Sequence, residues 1–378
     1  MTRNPVLLAF GGLLAMAAGI GVGRFVYTPI LPPMVEALGL SKSAAGLVAS
    51  ANFLGYLAGA LLAAVRLPGS RRAWLLGALA VNAVCLAAMA AASTLLPFLV
   101  LRLAAGMASA FCLIFSSALV LDRLAAAGRG SLSALHFAGV GVGIAVSAAT
   151  VAVLRDWQAM WLAAAALATV AGLAVVVIVQ PDAGTGAAPA AGRRGRVSAG
   201  FLVLAVAYFL FGLGYVITAT FLIDIVRSTE GIRPLEPYAW VLVGLGAAPS
   251  VALWTAIGRR IGLLRAFALA CLVEALGVLA SVLWLTTAGV VLAALCLGGT
   301  FMGLTALGLV AAREAGEGDP RGRIALMTAA FGLGQIIGPV VAGVVYDATG
   351  SLVGPSVAAA IGLAIASALA LLAGRRAT

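Results

Sequence analysis

The chain has 378 residues, of which 63% are hydrophobic and 9% charged. This composition excludes a soluble globular protein of this length and predicts an all-α, multi-pass membrane protein. The net charge of +11 does not indicate a nucleic-acid partner, because cytoplasmic loops of membrane proteins are enriched in arginine and lysine and attract anionic membrane lipids.

A helix that crosses a bilayer needs about 20 mainly apolar residues. Twelve segments meet this requirement, and the first is too long for the apolar core of a signal peptide, which predicts twelve uncleaved transmembrane helices. They lie near residues 6–35, 43–65, 73–93, 95–121, 131–154, 157–180, 199–226, 236–257, 264–285, 288–311, 323–346 and 352–373.

The basic residues predict the orientation. With a cytoplasmic N-terminus, 17 of the 23 lysines and arginines fall on cytoplasmic segments and 4 on outer segments, while Arg24 and Arg102 lie within spans. This asymmetry predicts that both termini are cytoplasmic.

The longest connection, residues 181–198, is rich in Gly, Ala and Pro and carries three arginines. We interpret it as a cytoplasmic linker between an N-terminal six-helix bundle, 1–180, and a C-terminal one, 199–378. Two weak matches indicate a duplication: residues 21–27 align with 212–218, and 139–141 with 332–334. Parallel six-helix repeats place a substrate site between the halves near the bilayer midplane.

Motifs for other classes of protein are missing from the sequence. The four cysteines lie in apolar runs without CxxC spacing, so neither a disulfide nor a metal site is predicted. There is one histidine, and there is no HExxH, GxSxG or Walker motif. We therefore expect no enzymatic activity, no cofactor and no use of ATP.

Local motifs resemble the major facilitator superfamily. Arg102, Gly106 and Ala110 on span 4 match its RxxxGxxxA pattern, and residues 334–343 on span 11 resemble its GxxxGPxxxG pattern. The resemblance covers nearly the whole chain and implies the fold of that superfamily, two pseudo-symmetric six-helix bundles. One departure is the loop between spans 2 and 3, which lacks the usual aspartate, so the charge relay of that loop is not expected.

Within the superfamily, residues 21–32, 49–59 and 135–141 resemble the YbfB/YjiJ-type group of bacterial transporters. That resemblance implies a transporter in the bacterial cytoplasmic (inner) membrane. The substrates of the group are poorly defined, so the resemblance indicates a mechanism and no cargo.

Arg24 follows a long apolar run, and a charge at membrane depth is a functional candidate because it is costly. If span 1 continues through Pro29, Arg24 and Tyr27 share a helix face in the outer half of the membrane and can bind substrate. If the helix ends at Gly23, Arg24 extends to the outer interface instead. The family resemblance favours the first alternative.

Three more residues of the first half are candidate substrate ligands. Arg102 can hold an anion or influence a proton-carrying group; the alternative is a structural arginine that caps backbone carbonyls. Asn52 and Tyr56 lie four apart on span 2, where an amide and a phenol can contact substrate or hold helices together.

Proton coupling is assigned to Arg102, His136 and Asp224. Histidine titrates near neutral pH, although a lone buried histidine more often serves packing. Asp224 lies near the outer end of span 7, and we expect it to approach an arginine of the first half when the outer side closes. Glu274, in the middle of span 9, is interpreted as a packing residue.

The second half supplies aromatic and polar candidates for substrate binding, with core packing as the alternative. Tyr208 and Tyr215 are seven apart on one face of span 7, and Trp240 and Gln335 can join them. In the alignment of the halves, Arg24, Arg102 and His136 correspond to Tyr215, Gly299 and Ala329. The first half is thus expected to manage charge or protons, and the second to shape specificity.

The sequence therefore predicts a monomeric secondary active transporter that moves a small organic solute by alternating access, coupled to protons. The cationic first half favours an organic anion or weak acid. The alternative is a proton-driven exporter of drugs or metabolites.

Overall fold

Twelve long apolar helices follow the predicted spans closely. The computed structural model describes residues 4–63, 65, 67–181, 198–316 and 320–375. Apart from its first and last residue, the predicted linker lies outside the described residues. Spans 1 to 12 are Pro5–Leu38, Lys42–Ala63, Arg71–Met89, Leu95–Ala126, Gly130–Val151, Trp157–Ile178, Ala199–Ser228, Glu230–Ile261, Leu263–Leu283, Thr287–Glu314, Arg321–Thr349 and Val353–Arg375.

Local sequence signals set the ends of several spans. The side chains of Ser70, Asp156 and Ser198 each accept a hydrogen bond from a backbone N–H three residues further on, which caps spans 3, 6 and 7. Spans 1 and 11 end at Gly39 and Gly350, with φ of 62° and 72°. Glycine adopts this left-handed conformation without strain, so the helices end there.

The spans form two six-helix bundles. Spans 1–6 pack on one another, and spans 7–12 do the same. The bundles meet where span 2 packs against span 11 and span 5 against span 8, and the second part of span 1 also contacts span 7. Because each span of the first bundle corresponds to the span six further on, the two main contacts are equivalent under the internal repeat.

Glycines allow the bundles to approach at backbone distance. A Cβ atom on Gly141 of span 5 would lie 2.2 Å from the nitrogen of Ala248 in span 8. A Cβ on Gly46 of span 2 would lie 2.2 Å from the carbonyl oxygen of Pro339 in span 11. No side chain fits at these distances, so the interfaces depend on small residues, as is common between membrane helices.

Glycine contacts also define the register of the repeat. A Cβ on Gly139 would meet Leu13 of span 1, and one on Gly334 would meet Phe209 of span 7. Since spans 1 and 7 are equivalent, Gly139 corresponds to Gly334. This register differs by two positions from the sequence alignment, which paired Gly139 with Gly332.

The two sides of the bundle are distinguished below by the chain ends. An even number of spans that alternate in direction brings Asn4 and Arg375 to one side, the termini side. The opposite side, the far side, contains the connections at 39–41 and 350–352.

Candidate functional site

Span 1 is interrupted beside Arg24. The α-helix at Pro5–Met16 passes into a π-helix at Ala17–Val22 and a turn at 23–26, and the α-helix resumes at Tyr27–Leu38. At the end of the π-helix, the N–H of Gly23 donates a hydrogen bond to the carbonyl of Ala18, five residues earlier, at 3.0 Å. Such segments leave carbonyl groups available to other partners, and they are frequent at functional sites.

Arg102 of span 4 binds the carbonyls at this interruption. Its Nη1 donates to the oxygen of Gly23 at 3.1 Å, and its Nη2 to the oxygen of Arg24 at 3.0 Å. The side chain is 2% exposed and lies 5.1 Å from the ring centre of Tyr27. Asn52 in turn donates to the backbone carbonyl of Arg102 at 2.9 Å. These contacts are those of an arginine that satisfies freed backbone groups.

Two further side chains complete the hydrogen bonding of the interruption. Asn82 of span 3 donates to the carbonyls of Gly19 and Ala18, at 3.1 and 3.3 Å. Trp240 of span 8 donates from Nε1 to the carbonyl of Phe25 at 3.1 Å, which makes this bond a contact between the bundles. Sequence reasoning missed Asn82, although an amide in an otherwise apolar span was a usable signal.

The side chain of Arg24 is buried at the same place, and two of its three guanidinium nitrogens have no hydrogen-bond partner among the described residues. It is 7% exposed, and its Nε and Nη2 atoms make no hydrogen bond. Its guanidinium carbon lies 4.6 Å from the ring centre of Phe53 and 4.4 Å from that of Tyr56. Cation–π contacts attract the charge but leave its N–H groups unsatisfied. Span 1 continues to Leu38, so Arg24 lies inside the bundle and not at a helix end.

Tyr27 has different neighbours from Arg24, because the interruption lies between them. Its hydroxyl donates to the carbonyl of Ala45 in span 2 at 2.8 Å, and its ring packs against Trp161 with centres 6.4 Å apart. Tyr56, by contrast, is half-buried and covers the guanidinium of Arg24. The two tyrosines thus belong to different parts of the site.

The second bundle places aromatic rings against this region. Phe301 of span 10 meets Phe25 edge-on at 5.4 Å and stacks on Tyr215 of span 7 at 5.8 Å. Gln335 of span 11 donates to the hydroxyl of Tyr215, and its own Oε1 has no partner. Tyr208 donates to a backbone carbonyl of span 10 at 3.0 Å. Tyr215 and Gln335 are therefore connected to the interruption through Phe301, whereas the hydroxyl of Tyr208 serves helix packing.

His136 lies at the level of Gly12, on the termini side of the interruption. Its ring is fully buried, its Nε2 lies 3.3 Å from the hydroxyl of Ser117, and its Nδ1 has no partner. A Cβ on Gly12 would lie 2.4 Å from that Nδ1. The imidazole thus packs between spans 1, 4 and 5 and retains one free nitrogen.

Asp224 pairs with Lys42 of the first bundle, whereas the sequence predicted an arginine of that bundle as its partner. The distance from Lys42 Nζ to Asp224 Oδ1 is 2.5 Å, and the side chains are 14% and 7% exposed. Lys42 begins span 2 on the far side. Lys42 lies at a helix end, so the search for charged residues at membrane depth did not identify it as a candidate.

Two more polar contacts join the bundles on the far side. Asp347 of span 11 accepts hydrogen bonds from the backbone N–H groups of Lys42 and Ser43, both at 3.0 Å, and so caps the positive end of span 2. Arg227 of span 7 pairs with Glu36 of span 1 at 2.6 Å. With the Lys42–Asp224 pair, these contacts hold the bundles together on the far side.

A cavity of about 300 Å³ lies on the far side of the interruption. It is lined by residues of spans 1, 5, 6, 7 and 8 and of the connection between spans 5 and 6, including Pro29, Arg155, Arg227, Glu236 and Trp240. Because Trp240 also bonds the carbonyl of Phe25, its indole connects this cavity to the interruption.

The described residues provide no metal centre. No group of three potential metal-binding side chains occurs among them, and their four cysteines are free thiols. What the arrangement offers is a buried guanidinium close to the contact between two helix bundles, which polar contacts join on the far side.

Comparison with known proteins defines the family. The model of a family described as "Uncharacterised MFS-type transporter YbfB" matches residues 16–371, so the chain belongs to this family of the major facilitator superfamily. The search of curated proteins gave no match.

Solved structures confirm the fold. A mutant of the nucleoside transporter NupG superposes with a TM-score of 0.77 at 15% identity, over 98% of this chain and 99% of that one. A bacterial homologue of the human lysosomal transporter Spinster, in an inward-facing and unoccupied conformation, gives 0.74 at 15% identity, over 99% and 98%. At this identity the likeness concerns the fold alone.

Proposed function

We propose that the protein is a secondary active transporter that moves a small organic anion or weak acid by alternating access, coupled to protons. The observation that carries the proposal is the guanidinium of Arg24, buried with two nitrogens that have no hydrogen-bond partner. A buried charge without a partner is costly, and a bound carboxylate removes that cost. A carboxylate also accepts paired hydrogen bonds from a guanidinium.

The surroundings of Arg24 support a substrate with an apolar, flat body. Phe53 and Tyr56 of the first bundle lie against the guanidinium, and Phe25 lies next to it. Phe301 of the second bundle contacts Phe25 and stacks on Tyr215. In this proposal Arg24 binds the carboxylate, the aromatic rings bind the body, and Tyr27, Asn52, Tyr208, Trp240 and Gln335 shape the site around them.

Arg102 acts in this proposal as a positioning residue. It donates both of its Nη groups to the backbone beside Arg24, which fixes the interruption from which Arg24 projects. Direct contact of Arg102 with substrate would require it to release two buried carbonyls, at a cost of about 1–3 kcal/mol each.

Proton coupling is proposed through Asp224 and His136. Protonation of Asp224 removes the charge that attracts Lys42, so it weakens an ion pair between the bundles. His136 offers an unbonded ring nitrogen on the termini side. Protonation of Asp224 would thereby favour opening of the far side, whereas protonation of His136 would place a charge inside the first bundle.

The proposed location is the bacterial cytoplasmic membrane, with the termini side in the cytoplasm. Exposed Arg259 and Arg260 on that side support this orientation by the positive-inside rule, and they provide contacts for anionic lipids. The far side is then the outer side, and the described conformation is closed to the outside. We propose that the protein acts as a monomer.

Three ring compounds of similar size test the charge preference. Benzoate, benzyl alcohol and benzylamine are titrated into the purified protein and followed by calorimetry. We expect benzoate to bind and the neutral and cationic compounds not to bind. Binding of benzylamine or benzyl alcohol in preference to benzoate would overturn the anion proposal.

Variants test the role of Arg24. We expect Arg24→Gln to weaken benzoate binding at least tenfold, which corresponds to about 1.4 kcal/mol, and Arg24→Lys to weaken it less. Arg260→Gln removes the same charge from an exposed position and should bind benzoate normally. Proton flux with benzoate, measured in proteoliposomes above the passive flux of protein-free liposomes, then tests coupling.

A further inference from the structure

Glu274 of span 9 is a buried carboxyl that is not part of the candidate site around Arg24. Its exposure is 0%, and its Oε1 atom has no hydrogen-bond partner. Its Oε2 contacts the hydroxyl of Thr300 in span 10. None of the ion pairs among the described residues includes Glu274. An ionised carboxylate in this place would be a buried charge without a counter-ion.

The hydrogen bonds of Thr300 give Glu274 little stabilisation as an anion. The Thr300 hydroxyl lies 2.6 Å from the carbonyl oxygen of Cys296, which can only accept. The same hydroxyl donates to Oε2 of Glu274. A hydroxyl has a single hydrogen, so the carboxyl and the carbonyl share one donor. The carboxyl of Glu274 thus receives at most one shared hydrogen bond and no counter-ion, which favours its neutral, protonated form in this buried position.

Span 10 connects this acid to the proposed substrate site. Thr300 is followed directly by Phe301, which contacts Phe25 beside Arg24 and stacks on Tyr215. A change at the interruption of span 1 that moves Phe301 also moves Thr300, because both belong to one continuous helix.

The titratable groups around Glu274 are neutral side chains. They are Cys271 on its own span, Cys296 on span 10 and Tyr215 on span 7. Thr300 is its one hydrogen-bonding neighbour among the described residues. Since no charged side chain of the described residues lies beside it, the protonation state of this carboxyl depends on its hydration and on the Thr300 contact.

We propose that Glu274 is the reversible proton-binding group of the second bundle. In the described conformation its carboxyl holds a proton. When spans 9 and 10 rearrange and admit water, the O–H bond breaks, the proton passes to water and a carboxylate remains. This inference rests on the proposed proton-coupled transport and adds a carrier group that the sequence reading had assigned to packing.

Infrared difference spectroscopy on the full chain in liposomes tests this assignment without any substrate. Raising the pH from mildly acidic to mildly alkaline should remove a band of a protonated carboxylic acid and produce a carboxylate band. Both signals should be missing in Glu274→Gln. They should persist in Glu314→Gln, which changes an exposed carboxyl on span 10.

A second variant keeps the test valid if Glu274→Gln does not fold. Thr300→Val retains the acid but removes its hydrogen-bond partner, so the acid band should persist at a shifted frequency. Identical spectra of the wild type, Glu274→Gln and Thr300→Val, or an acid band that never responds to pH, would overturn the proposal. Failure of benzoate to bind would affect only the proposal for Arg24, since no substrate enters this experiment.

Discussion

Arg102 holds the backbone of Arg24 and leaves the side chain of Arg24 unsatisfied. The Nη1 and Nη2 of Arg102 donate to the carbonyls of Gly23 and Arg24, and only its Nε lacks a partner. The Nε and Nη2 of Arg24, by contrast, have no hydrogen-bond partner among the described residues. The difference predicts opposite effects when each is replaced.

Replacement of Arg102 should destabilise the protein. Arg102→Met leaves the carbonyls of Gly23 and Arg24 without donors, at a cost of about 2–5 kcal/mol. We expect a lower apparent melting temperature in detergent, together with weaker benzoate binding because the interruption loses its shape. A melting temperature equal to that of the wild type would mean that these hydrogen bonds do not stabilise the fold.

Replacement of Arg24 should separate stability from binding. Arg24→Gln removes an unpaired buried charge, so the unliganded protein should melt at the same or a higher temperature than the wild type. Benzoate should raise the melting temperature of the wild type but not that of the variant. The prediction fails if Arg24→Gln is strongly destabilised without ligand, since Arg24 would then have a structural partner.

The ion pair between Lys42 and Asp224 should contribute measurably to closure of the far side. In a double-mutant cycle of Lys42→Met and Asp224→Asn, we expect a coupling free energy of about 1–3 kcal/mol, because the pair is largely buried. The exposed pair of Arg71 and Asp122, 3.5 Å apart, is the control and should couple by about 0–1 kcal/mol. Equal coupling in the two cycles would argue against a role for Lys42 in closure.

The positions of the membrane spans could be predicted from the sequence because length and hydropathy determine them. Span 1, for example, was predicted at 6–35 and runs from Pro5 to Leu38. The interruption within it was not predicted. Three other spans satisfy its carbonyls: Asn82 bonds carbonyls of the π-helix, and Arg102 and Trp240 bond carbonyls of the turn at 23–26. Contacts of this kind follow from packing and leave no periodicity in the sequence.

Candidate residues could be named from the sequence, but their separate roles could not be assigned. Arg24 and Arg102 are both arginines at membrane depth, and only the location of the freed carbonyls separates the bonded one from the unbonded one. Glu274 was assigned to packing because span 9 is usually peripheral in the fold that the family resemblance implied. Its partner Thr300 lies on another span, 26 residues away. Sequence can indicate that a buried polar group needs a partner, but it does not identify that partner.

Backbone contact between the bundles should be sensitive to a single methyl group. Gly141→Ala places a Cβ 2.2 Å from Ala248, so spans 5 and 8 must separate; overpacking of this kind costs about 1–3 kcal/mol. Gly77→Ala is the control, since nothing lies within 4 Å of its added Cβ. We expect a lower melting temperature only for Gly141→Ala. Equal melting temperatures would show that the interface can widen without cost.

Trp240 and Trp254 form a matched pair for the last prediction, because each donates an indole N–H to a backbone carbonyl. Trp240 bonds Phe25 across the bundles at 3.1 Å, whereas Trp254 bonds Gly299 within the second bundle at 2.7 Å. Replacement by phenylalanine removes about 1 kcal/mol of hydrogen bonding at either position. Only Trp240→Phe weakens the contact between the bundles, so only this variant should accelerate hydrogen–deuterium exchange in residues 23–38 of span 1. Equal acceleration in both variants would show that exchange reports general loosening, and no acceleration would mean that Trp240 does not stabilise closure.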